Sequence, residues 1–130
     1  MDINKNTLCK AERLNSKNTI EELFSGGAKS FLAYPIRAVF MPVERKEEVS
    51  VSILVSVSKK RFKRAVKRNR VKRQIREAYR INKHALLQLM EAKECGLAIA
   101  FIYLDRELRD STEIECKVKE LLDRIIEKTV

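Results

Sequence analysis

Alternating and uninterrupted apolar patterns predict four strands along the chain. Residues 49–58 read VSVSILVSVS, with an apolar side chain at every second position, so one face of this strand is expected to be buried. Residues 36–43 and the shorter stretch 28–34 predict two earlier strands, and the polar residues 44–48 are expected to form a hairpin loop. The apolar run LAIAFIYL predicts a centrally placed strand over residues 97–103.

Helical periodicity predicts three helices. Over residues 16–24, Ile20, Leu23 and Phe24 fall on one face. A long helix is predicted over residues 63–91 and a last one over residues 112–128. The stripe of the long helix that is expected to face the core consists of Val71, Ile75, Ala78, Tyr79, Asn82, Leu86 and Leu89. The resulting order is α-β-β-β-α-β-α, which predicts an α+β fold built as a two-layer sandwich.

Length and composition indicate a small globular chain without its own catalytic or metal-binding chemistry. The chain of 130 residues predicts a single domain, 1–130, in which residues 1–12 are expected to form a mobile tail. The longest apolar run has eight residues and the polar N-terminus does not resemble a signal peptide, which indicates a cytoplasmic protein. Three cysteines and one histidine lack metal-ligand spacing, so neither a metal site nor a catalytic residue is expected.

The positive charge is concentrated in residues 59–80. This stretch has twelve Lys or Arg and one acid, Glu77, whereas the whole chain carries a net charge of +10. Glu77 is expected to hold both Arg73 and Arg80, but the remaining like charges cost stability, so an anionic partner is predicted. Charge alone leaves DNA, single-stranded RNA and folded RNA open. A membrane surface is less favoured, because the chain has no Trp to anchor it.

Two motifs closely resemble the protein component of bacterial ribonuclease P. They are SVSKK at residues 56–60 and RNRVKRQIREAYR at residues 68–80. A weaker resemblance covers most of the chain, including Leu14, Phe24, Gly27, the strand at 97–103 and the last helix. The resemblance implies the same order of elements, with the basic helix as a left-handed crossover between parallel strands, although such connections are nearly always right-handed.

The resemblance also implies a function, which is to assist a catalytic RNA in removing the 5′ leader of precursor tRNA. The implied partners are ribonuclease P RNA and precursor tRNA, without an obligate protein partner. No cofactor is expected on the protein alone, and Mg²⁺ is expected with the RNA subunit. An autonomous nuclease is disfavoured because no cluster of acids looks suited to hold two metal ions. The alternative is a ribosomal or general RNA-binding protein that has a basic helix and no role in cleavage.

Two sets of site residues follow from the resemblance. The first is implied to contact the catalytic RNA, mostly at phosphate and sugar. Its members are Lys59, Lys60, Lys63, Arg64, Lys67, Arg68, Asn69, Arg70, Lys72, Arg73, Arg76 and Arg80. The second is a cleft between the first helix and the sheet, implied to hold the single-stranded leader, with Ile20, Phe24, Arg37 and Phe40. Ile20 stands where many relatives have an aromatic side chain, and Phe24 and Phe40 are alternatively core residues.

Overall fold

The computed structural model describes residues 17–25, 28–44 and 50–129, so the predicted N-terminal tail and most of the predicted loop at 44–48 lie outside the described residues. The elements are α1 (Lys17–Phe24), β1 (Lys29–Ala33), β2 (Ile36–Val43), β3 (Val51–Val57), α2 (Ala65–Asn82), α3 (His84–Lys93), β4 (Gly96–Tyr103) and α4 (Ser111–Thr129). This order confirms the α+β prediction, with one additional helix after α2.

The sheet has the strand order β1-β2-β4-β3. β2 is antiparallel to both β1 and β4, whereas β3 is parallel to β4. The predicted hairpin between the strands at 36–43 and 49–58 is therefore wrong, because β4 lies between them. The hairpin joins β1 to β2 instead, through Tyr34 and Pro35. β4 takes the central position that its apolar sequence predicts, and all of its residues except Ile102 are buried.

The connection between β3 and β4 is a crossover, because parallel neighbours cannot be joined by a tight turn. It contains α2 and α3. The predicted core stripe of α2 is confirmed at Val71, Ile75, Ala78 and Tyr79, which are all buried. The basic helix is thus part of the connection between the two parallel strands, and the hand of the crossover stays a prediction.

The long helix predicted over residues 63–91 is interrupted at Lys83. At this point the side-chain amide of Asn82 donates to the carbonyl oxygen of Ala78 at 2.9 Å, and so competes with the backbone for that acceptor. After the interruption Leu86 and Met90 are buried, whereas Leu89 is only half-buried. The prediction of Leu89 as a core residue is therefore wrong, because an uninterrupted helical period does not continue across Lys83.

An apolar cluster lies on each face of the sheet, and one of the two clusters is much larger. The larger core lies between the sheet and helices α2, α3 and α4, and it includes Ile36, Ala38 and Phe40 of β2. The smaller cluster lies on the opposite face, where Leu23 of α1 contacts the strands at Val39. The main layers are thus the two of the predicted sandwich, and α1 partly covers the second face of the sheet. This position of α1 defines where a cleft between helix and sheet can exist.

Candidate nucleic-acid interface

The exposed side of α2 carries most of the predicted cations. Lys67, Arg70 and Arg73 are exposed, as is the neutral Asn69 of the same predicted set, whereas Arg68, Lys72, Arg76 and Arg80 are half-buried. The opposite side is fixed in the core, since Val71 and Ile75 are no more than 1% exposed. Because the core sets the rotation of α2, its cations face outward together. Its first turn contains no acid, so this end of the helix has no internal counter-charge.

Glu77 neutralises one of these cations. The guanidinium of Arg80 forms an ion pair with the Glu77 carboxylate, and its Nε also donates to Glu77 at 3.2 Å. This hydrogen bond lowers the pKa of Glu77 and raises that of Arg80. Within the described part of the chain, Glu77 forms no ion pair with Arg73, so only one of its two predicted partners is confirmed. The charge of Arg73 therefore remains available to a partner of the opposite sign.

The connection between β3 and α2, residues 58–64, adds a second group of cations and is called the basic loop below. Its exposed cations are Lys59, Lys60, Lys63 and Arg64. The turn is closed by Ser58, whose hydroxyl oxygen accepts from the Lys60 amide at 3.1 Å and whose carbonyl oxygen accepts from the Arg61 amide at 3.0 Å. The buried Phe62 anchors the loop, with its ring centroid 6.0 Å from that of Tyr103.

Arg68 is directed toward the basic loop. Its Nη1 donates to the carbonyl oxygens of Phe62 and Lys63, both at 2.8 Å. The sequence predicts Arg68 only as a contact for the RNA. The structure adds an intramolecular role, which local sequence could not reveal because it depends on how the loop folds back on the first turns of α2.

The second predicted surface lies on the face of the sheet covered by α1. Leu23 is 2% exposed and belongs to an apolar cluster with Val39, Ala98 and Ala100. Beside it, Ile20 is half-buried and Phe24 is 49% exposed. Phe24 follows Leu23 along α1, and Ala98 and Ala100 give this apolar cluster two small side chains on β4.

Arg37 and Phe40 lie on opposite faces of β2. Arg37 is exposed and shares its face with Val39, two residues away, because successive side chains alternate across a strand. Phe40 is 4% exposed in the larger core, where its ring stacks on Phe31 with centroids 5.5 Å apart. The prediction of Phe40 as a cleft residue is therefore wrong. Ile20, Phe24 and Arg37 stay candidates for the cleft.

Gln74 makes a long-range contact that no local sequence pattern predicts. Its Nε2 donates to the carbonyl oxygen of Arg109 at 2.9 Å and to Oγ of Ser111 at 3.1 Å, which ties α2 to the segment before α4. Arg109 forms ion pairs with Asp105 and Glu113, so its charge is already balanced. The four-residue spacing of these three charged side chains is a detectable signal in the sequence, whereas nothing local marks Gln74.

Two further findings concern the described residues only. They contain no group of three or more His, Cys, Asp or Glu side chains placed to hold a metal ion. None of the helices within this part of the chain is long and apolar enough to span a membrane.

Comparison with known sequences identifies a family for nearly the whole chain. The model of the family described as Ribonuclease P matches residues 8–126. A protein of Porphyromonas gingivalis named ribonuclease P protein component is 44% identical over 118 residues, which cover 91% of this chain and 85% of that protein. A protein of the same name from Chlorobaculum tepidum is 34% identical over 138 residues and covers 95% of this chain and 88% of its own length.

Solved structures show the same fold. The ribonuclease P protein from Thermotoga maritima has a TM-score of 0.65 and 24% identity, over 87% of this chain and 96% of that one. The Staphylococcus aureus ribonuclease P protein has a TM-score of 0.64 and 20% identity, over 89% of this chain and 96% of that one. The arrangement of helices around the four-stranded sheet is therefore shared with these proteins.

Proposed function

This chain belongs to the ribonuclease P protein family, and from this membership we propose how its two surfaces act. Proteins of this family are subunits of a ribonucleoprotein endoribonuclease that processes the 5′ end of tRNA. Catalysis in this complex is performed by RNA. The exposed side of α2 and the basic loop bind the ribonuclease P RNA. The face of the sheet beside α1 binds the 5′ leader of precursor tRNA.

The observation that best supports RNA binding is that the charged and the buried side chains of α2 lie on opposite sides of the helix. The apolar stripe that includes Ile75 is buried in the protein interior, whereas Arg70 and Arg73 are exposed. A stretch with twelve cations and one acid gains little from internal ion pairs, so a polyanion is the partner that compensates its repulsion. Guanidinium groups bind phosphate with two parallel hydrogen bonds, which suits the backbone of a folded RNA.

The proposal for the leader rests on the α1 face of the sheet. Phe24 offers an exposed aromatic ring on α1, Arg37 offers an exposed cation on β2, and Leu23, Val39, Ala98 and Ala100 form an apolar cluster on this face. This combination of a stacking platform and a phosphate-binding charge is suited to single-stranded RNA. It fits an unpaired leader better than a duplex, whose bases are already stacked. Mg²⁺ is assigned to the RNA subunit, and the complex to the cytoplasm, where precursor tRNA would be processed.

Substitution of Phe24 tests the leader surface. Phe24→Ala is expected to weaken binding of precursor tRNA to the reconstituted enzyme by about 5- to 150-fold, because one base–aromatic stack contributes about 1–3 kcal/mol. Binding of mature tRNA, which lacks the leader, is expected to stay unchanged. Equilibrium binding of both RNAs to the complex of protein and ribonuclease P RNA measures the difference.

Tyr34→Ala is the matched control, because Tyr34 is 52% exposed and lies in the β1–β2 turn rather than beside α1. This variant should bind precursor and mature tRNA as the unsubstituted protein does. An equal loss for both RNAs in Phe24→Ala, or no loss for either, would contradict the assignment of the leader to the α1 face.

A further inference from the structure

We propose that Arg68 is a positioning residue, which holds the basic loop in the one conformation that binds RNA. This inference rests on the proposed function, because it concerns how the same RNA surface is organised. Arg68 is part of the RNR motif and is half-buried rather than fully exposed. In addition to any contact that Arg68 itself makes with RNA, it acts by ordering the cations of the basic loop.

The two hydrogen bonds of Arg68 attach the residues that precede α2 to the helix. Arg64, the residue before α2, forms no side-chain capping hydrogen bond, and the first turn contains no acid. The carbonyl oxygens of Phe62 and Lys63 precede the helix and cannot take part in its internal hydrogen bonding. Arg68 Nη1 reaches both of them at 2.8 Å, and a charged donor makes these bonds stronger than neutral ones. The end of the basic loop is thereby attached to the second turn of α2.

The opposite end of the basic loop is attached through Ser58. The carbonyl oxygen of Ser58 accepts from the amides of Arg61 at 3.0 Å and Phe62 at 3.3 Å. The side chain of Phe62 is 5% exposed and fixes the middle of the loop in the core. Arg68 therefore supplies the third attachment, at the side that leads into the helix.

The loop needs these attachments because it repels itself. Residues 58–64 contain five cations, Lys59, Lys60, Arg61, Lys63 and Arg64, and no acid. Segments with one sign of charge tend to extend, so a loosened loop would spread its cations apart. A loop that is already ordered loses less conformational entropy when it binds phosphate. Removal of Arg68 should therefore reduce the contribution of several cations at once.

Hydrogen exchange in the free protein tests the positioning role without RNA. In Arg68→Ala, the Arg61 and Phe62 amides are expected to exchange at least about tenfold faster, while the amide of Ile99 in β4 keeps its rate and reports intact folding. Arg68→Lys retains the charge but lacks the forked donor, and it should also accelerate exchange at Arg61 and Phe62. Arg70→Ala is the control, because Arg70 is exposed on the same helix and should leave these amides unchanged. Unchanged exchange at Arg61 and Phe62 in both Arg68 variants would overturn the proposal.

A double-mutant cycle with Lys60 tests the consequence for RNA. Affinity for ribonuclease P RNA is measured for Lys60→Ala, Arg68→Ala and the double variant. If Arg68 acts through the loop, Lys60→Ala should weaken binding less in the Arg68→Ala background than alone. Strict additivity would show that the two residues contact RNA independently and would overturn the positioning role in binding. Absence of RNA binding by the unsubstituted protein would instead refute the proposed function, and the exchange measurement would still decide whether Arg68 orders the loop.

Discussion

Raising the monovalent salt concentration from about 50 to about 200 mM is expected to weaken binding of this protein to ribonuclease P RNA by about 10³- to 10⁵-fold. This loss corresponds to about six to ten phosphate contacts, each of which releases condensed counterions from the RNA. The surface proposed here offers twelve Lys and Arg for such contacts, seven on α2 and five on the basic loop. Filter-binding or fluorescence titrations over a range of salt concentrations measure the slope of log affinity against log salt.

Arg73→Ala separates a specific contact from general electrostatic attraction. Arg73 is exposed, so the variant is expected to unfold at the same denaturant concentration as the unsubstituted protein. Its salt slope should fall by about one for the lost phosphate contact, and Arg70→Ala should behave alike. Lys119→Ala removes an exposed cation from α4 and should leave the slope unchanged. An equal effect of all three substitutions would show that the RNA recognises net charge and not the exposed side of α2.

Ile75→Ala is expected to destabilise the fold by about 2–5 kcal/mol, because it leaves a cavity in the larger core. Ile75 is fully buried, on the side of α2 opposite to its cations. Urea unfolding monitored by circular dichroism gives the free energy of unfolding of each variant. A loss of this size is a large part of the stability of a small domain, so the variant should also lose RNA binding near its unfolding midpoint.

Ile81→Ala provides the matched control on the same helix. Ile81 is 45% exposed, so the same chemical change should alter the free energy of unfolding by no more than about 0.5 kcal/mol. Similar stability losses in the two variants would contradict the orientation of α2, and with it the assignment of its cations to the exposed side.

The sequence predicts features of this fold that arise from burial within one element. Val51, Ile53 and Val55 are buried at every second position of β3, and the stripe around Ile75 is buried on α2. In both cases the element packs on one side against an apolar layer. Apolar residues therefore recur in the sequence with the period of a strand or of a helix. The cations of α2 follow from the same reasoning, because they occupy the positions that the core does not use.

The pairing of the strands could not be predicted from the burial pattern of single elements. The alternation along β3 fixes which side chains are buried, but it does not say which strand lies beside it. The insertion of β4 between β2 and β3 is a long-range event. The interruption of the long helix at Lys83 lies beside a side-chain hydrogen bond of Asn82, and helical periodicity contains no signal for either.

The sequence could have placed some residues of the candidate site correctly, but not others. Arg37 and Phe40 are three positions apart on one strand, so strand alternation alone places them on opposite faces, and only Arg37 can line the α1 face. The contacts of Arg68 and Gln74 were different, because each joins a helix side chain to a backbone carbonyl of an irregular segment. Such contacts require the path of the loop, which local sequence preferences do not define.

Cleavage of a precursor tRNA by a bacterial ribonuclease P RNA at low Mg²⁺, with and without this protein, tests whether the protein acts as a ribonuclease P subunit. The protein is expected to restore removal of the 5′ leader under conditions in which the RNA alone cleaves poorly, and the protein alone is expected to cleave nothing. Unchanged cleavage despite binding of the protein to the RNA would contradict this role and would indicate a general basic RNA-binding protein.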